Sequence, residues 1–97
     1  MTNEEIWNIG LEERTDELSK LQSEYDRLDV ECRKAEFEMD MYARLRDVNN
    51  AMLYKQKFSE KYEKCARASE KLTKQKNALE NEISVLKKEI YYINSLM

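Results

Sequence analysis

"RLRDVNNAML", Arg44 to Leu53, lies at the midpoint of the 97-residue chain. Asn49 and Asn50 stand side by side, with no glycine or proline near them. The pair is either a turn between two helices or the middle of one long helix. That choice decides how the rest of the chain is used.

The surroundings are helical by composition. Ala, Glu, Lys, Leu and Arg number 6, 15, 11, 10 and 6, about half of the chain. Such a share, with helical periodicity, marks a coiled coil or long helix. One glycine and no proline leave little to stop a helix. Thr2, followed three residues later by Glu5, makes a capping box and places a helix start near Asn3. The expected fold is all-α: an elongated coiled coil of long helices, one region over 1–97, with a break or turn within 43–53.

Two heptad series flank the asparagines. The first runs through Trp7, Leu11, Arg14, Leu18, Leu21, Tyr25, Leu28, Cys32, Ala35, Met39 and Tyr42, at spacings of four and three. The second runs through Phe58, Tyr62, Cys65, Ser69, Leu72, Lys76, Leu79, Ile83, Leu86, Ile90, Ile93 and Met97. The expected seam is Leu11, Leu18, Leu21, Tyr25, Leu28, Cys32, Met39, Phe58, Tyr62, Leu72, Leu79, Ile83, Leu86, Ile90 and Ile93. Arg14 and Lys76 are polar interruptions that set register by snorkelling out of it. The two series are out of register with each other, so the apolar stripe rotates between Tyr42 and Phe58, where Leu45, Val48 and Met52 form a short bridge.

Three arrangements satisfy this pattern. Leucine at d (Leu72, Leu79, Leu86) with isoleucine at a (Ile83, Ile90) is the signature of a parallel two-stranded coiled coil. A parallel homodimer is the preferred expectation; it would be a rod of about 145 Å at ~1.5 Å per residue. A helical hairpin and an antiparallel dimer are the alternatives, and charge favours them. Residues 1–48 carry 7 Lys/Arg and 14 Asp/Glu, whereas residues 49–97 carry 10 and 6. Folding back lays acid on base. A parallel pairing instead sets Glu24 against Asp29 and Glu31 against Glu36. Each such exposed repulsion is worth only a few tenths of a kcal/mol, against ~1.5–3 kcal/mol per buried leucine. An antiparallel match pairs residues whose numbers sum to 97, which sets Cys32 opposite Cys65.

Function classes narrow by the same chemistry. The chain has no histidine and no glycine-rich loop, and its carboxylates have basic neighbours, so no catalytic residue, cofactor, metal ion or small-molecule substrate is expected. The net charge of −3 argues against nucleic acid, despite eight Lys/Arg between Lys55 and Lys76. No stretch reaches the ~20 apolar residues of a membrane span. Cys32 and Cys65 lack metal-ligand spacing and read as small seam residues, or as crosslinking reporters. Two cysteines and no export signal suggest a reducing compartment and an intracellular protein, cytoplasmic or nuclear, of cytoskeletal association.

Trp7 with Ile6 and Ile9 at one end, and "IYYINSLM" (90–97) at the other, are apolar clusters. Trp7, Tyr91 and Tyr92 are the candidate partner contacts. In a hairpin the two clusters would meet and bury each other. Arg46 and Lys55 flank the break and could mark a hinge. The expected role is a non-enzymatic structural coiled coil for homodimerisation, spacing or scaffolding in a larger assembly of cytoskeletal, centrosomal, motor or kinetochore type. The alternative is a helical-hairpin module that binds another protein through its outer faces or apolar ends.

Overall fold

The computed structural model describes all of residues 1–97. It contains two helices, α1 (Asn3–Val48) and α2 (Met52–Leu96), and no strand. Asn49, Asn50 and Ala51 are outside both helices, so the asparagine pair is a turn. The favoured parallel rod with an unbroken helix is therefore corrected: the chain takes the hairpin alternative.

The helix ends follow local chemistry. At the start of α1 the Glu5 amide donates to Thr2 Oγ1 at 3.2 Å, and the Thr2 amide donates to Glu5 Oε2 at 3.3 Å. This is the reciprocal bonding of a capping box. At the turn, the Ala51 amide donates to Asn49 Oδ1 at 3.2 Å, an Asx turn in which the side chain replaces a backbone acceptor. The Ala51 carbonyl then accepts the first bond of α2, from the Lys55 amide at 3.0 Å. No residue takes a positive φ. The turn thus needs neither glycine nor a left-handed residue.

The helices pack as two compact units. The turn unit is Leu28–Lys76. In it Leu28, Cys32 and Ala35 are buried, and Met39, Tyr42, Phe58, Tyr62, Cys65 and Leu72 are half-buried. The Tyr42 and Phe58 rings stack with centroids 6.4 Å apart. The terminal unit joins Met1–Arg27 to Asn77–Met97. Its centre is Ile83 and Leu86, both buried, with Leu11, Leu18, Leu21, Tyr25, Leu79, Ile90 and Ile93 half-buried. Every residue expected in the seam is covered, at least in part, within one chain.

The antiparallel register differs from the expected one. In the turn unit Tyr42 meets Phe58, Glu38 meets Cys65 and Asp29 meets Lys76, with number sums of 100, 103 and 105 in place of 97. In the terminal unit Arg14 meets Glu89, a sum of 103. The slip is close to one heptad. A heptad pattern matches itself after seven residues, so periodicity alone could not choose between the two registers. The turn chooses, because its three residues follow Val48 and move the pairing centre toward the C-terminus.

Candidate interaction surfaces

Polar residues cross the seam in both units. In the turn unit Lys76 Nζ donates to Asp29 Oδ1 at 2.6 Å, and both side chains are about three-quarters covered. The Lys76 ammonium holds the Asp29 carboxyl below its ordinary value, with Arg33 adding to the effect from α1. In the terminal unit Arg14 Nε donates to Glu89 Oε2 at 3.1 Å, and Arg14 Nη1 donates to the Gly10 carbonyl at 3.2 Å. A Cβ on residue 10 would lie 3.4 Å from that same nitrogen, an ordinary van der Waals contact. Both interruptions of the apolar series pair with the opposite helix of their own chain. Glu24 is likewise held below its ordinary value, first by the side-chain bond from Arg27.

The cysteines are free, Cys32 buried and Cys65 half-buried. The Cys65 thiol donates to Glu38 Oε2 at 3.6 Å. That contact places Cys65 about six residues along α1 from Cys32, or roughly 9 Å at 1.5 Å per residue. A disulfide requires Cα atoms within about 7 Å, so the register slip moves the two cysteines out of reach of the alternative Cys32–Cys65 crosslink, and both stay free. Burial raises the Cys65 pKa, and the bond to the Glu38 carboxylate raises it further. A thiol held protonated in this way is a poor nucleophile.

Arginine and lysine also cover rings in the turn unit. Arg46 lies 5.5 Å from the Tyr62 centroid and Lys61 lies 5.5 Å from that of Tyr42. Arg46, expected to mark a hinge, therefore packs on the opposite helix. Its Nε also donates to Asp47 Oδ1 at 3.3 Å.

The three candidate partner contacts lie in the terminal unit. Trp7 borders a recess with Glu4, Leu96 and Met97, so the two end clusters do meet. They do not bury each other: Ile6, Ile9, Trp7, Tyr91, Tyr92, Leu96 and Met97 all remain exposed. Tyr91 borders a separate shallow groove on α2 with Ile83, Lys87 and Lys88. A second open groove, between Glu17 and Leu21 on α1 and Asn81 to Glu89 on α2, reaches Leu86. No group of Asp, Glu or Cys side chains is placed to hold a metal ion. Neither helix is long and apolar enough to cross a membrane.

A further surface lies in the turn unit. Val30 and Phe37 are 65% and 67% exposed on α1, while Leu28, Cys32 and Ala35 on the same helix are buried. Seven residues apart, Val30 and Phe37 share a face, and the half-buried Met41 and exposed Val48 follow at spacings of four and seven. This stripe lies on the far side of α1 from the seam. Its period was present in the sequence, masked by the stronger seam series.

No protein-family model, curated protein or solved structure matches the chain.

Proposed function

We propose that the chain is a non-catalytic helical hairpin that acts as a scaffolding module and engages a partner protein through faces outside its seam. One observation carries this reading. The residues that would form a dimer seam are covered by the other helix of the same chain, while Val30, Phe37 and Tyr92 stay exposed outside it. A module of this kind needs no second copy to bury its leucines, and it keeps apolar side chains for another molecule. The charge distribution of the turn unit supports it, because the acidic α1 segment there faces the basic α2 segment and the Lys76–Asp29 pair joins them.

Spin labels at Ser19 and Ser84, placed as cysteines after Cys32 and Cys65 are changed to alanine, test it. Both serines are exposed and their number sum, 103, matches Arg14–Glu89. The labels are diluted with unlabelled chain so that only intramolecular distances are read. A hairpin sets the helix axes about 10 Å apart. An unbroken helix separates the labels by roughly 100 Å at 1.5 Å per residue. The short distance with a monomer mass supports a single-chain module. The long distance with a dimer mass overturns it and restores the homodimeric spacer.

A further inference from the structure

We infer that the turn end of the hairpin docks on an anionic lipid interface. The inference goes beyond the module reading and shares with it only the turn itself.

Val48, Met52 and Leu53 surround the turn and are 76%, 83% and 74% exposed, with Tyr54 and Leu45 also exposed beside them. These are large apolar side chains at the most projecting point of the turn unit, on both sides of Asn49–Ala51. Lys55 and Lys57 supply cations on the α2 side of the turn. On the α1 side Arg44 is paired with Asp40 at 3.0 Å and Arg46 with Asp47 at 3.3 Å, so the two lysines carry the charge match. The start of α2 adds the partial positive charge of a helix N-terminus. Its first turn holds no acidic side chain to neutralise that charge.

Apolar side chains in front and cations behind match the layering of a lipid interface. The apolar groups enter the boundary between headgroups and acyl chains, and the cations meet the phosphates. A convex tip also suits a deformable surface, which needs no preformed groove. The acidic terminal unit, with 5 Lys/Arg and 11 Asp/Glu, lacks this charge match; the turn unit carries 12 and 9. The C-terminal apolar segment has only Lys87 and Lys88 close by and is not the lipid-facing end.

Flotation of the full chain with phosphatidylcholine vesicles, with and without phosphatidylserine, tests the proposal. Two variants accompany the native chain, Met52→Asp/Leu53→Asp and Lys55→Glu/Lys57→Glu. The native chain is expected to float with phosphatidylserine vesicles, to stay behind with phosphatidylcholine alone, and to be released by salt. Each variant is expected to bind at least about tenfold more weakly, Met52→Asp/Leu53→Asp by losing apolar insertion and Lys55→Glu/Lys57→Glu by losing attraction to the phosphates. The aspartates fall in the first turn of α2, where the helix dipole favours them, so unchanged helicity by circular dichroism confirms that folding is intact.

Absence of binding to phosphatidylserine vesicles overturns the proposal, as does equal binding to both vesicle types or native-like binding by the variants. Sedimentation equilibrium covers the remaining occupants. If the native chain dimerises and Met52→Asp/Leu53→Asp is a monomer, the tip is a contact between copies and lipid docking is wrong. The spin-label distance reports separately on the hairpin, so failure of the fold and failure of lipid docking give different results.

Discussion

Asp29 and Lys76 show how much one pair can decide. Lys76 breaks the second apolar series and was expected to set register. It reaches Asp29 at 2.6 Å across the seam of the turn unit. The bond favours the ionised carboxylate, which lowers the Asp29 pKa in the folded chain. A carboxylate with a lowered folded pKa stabilises the fold above its ordinary value, 3.8 here, and that stabilisation fades as pH falls through the lower folded value. Thermal melts at descending pH should therefore show the native chain more stable than Asp29→Asn near neutrality, with the gap closing in acid. A gap that stays constant into acid would mean that Asp29 contributes by packing alone. Lys76 was recognisable from its place in the heptad. Asp29 was not, because its identity as the partner depends on a register that the heptad leaves open.

At the scale of the elements, the two helices begin differently. Thr2 caps α1 with its hydroxyl, whereas Ala51 occupies the corresponding place in α2 and offers only its carbonyl. Lys55 follows close behind, a cation near the positive end of a helix, and α2 has no acid in its first turn. Ala51→Asp should stabilise the hairpin by about 0.5–2 kcal/mol, from a new side-chain acceptor for the first amides and a better charge at the helix end. Urea unfolding followed by circular dichroism measures this; an unchanged midpoint would show that the Asx turn already meets the needs of this helix end. The same comparison explains what was legible in the sequence. The capping box at Thr2–Glu5 uses residue types with one strong local meaning, so the start of α1 could be placed. Asn49-Asn50 carries no such single meaning. Asparagine at this site bonds Ala51 in a turn free of positive φ, and the lack of glycine and proline near it weighed wrongly toward a through-helix.

For the whole chain, one sequence pattern had to distinguish an intermolecular zipper from an intramolecular hairpin. Leu72, Leu79 and Leu86 in d positions satisfy both, since either partner helix presents an apolar face to them. The alternatives part in their dependence on concentration. Two chains gain stability from mass action, whereas a hairpin has all its partners in one molecule. The melting temperature of the native chain should therefore stay constant over roughly two decades of protein concentration. Within the hairpin the d leucines are unequal: Leu86 is buried and Leu72 only half-buried. Leu86→Ala should cost about 2–4 kcal/mol, and Leu72→Ala distinctly less, because the penalty grows with the apolar area and cavity lost. A parallel zipper would bury the two alike and penalise both by similar amounts. Equal losses together with a melting temperature that climbs with concentration would transfer the seam from the hairpin to a dimer. Unequal losses at a constant melting temperature would leave Val30, Phe37 and the turn-end side chains as the apolar surface that the chain holds open for another molecule.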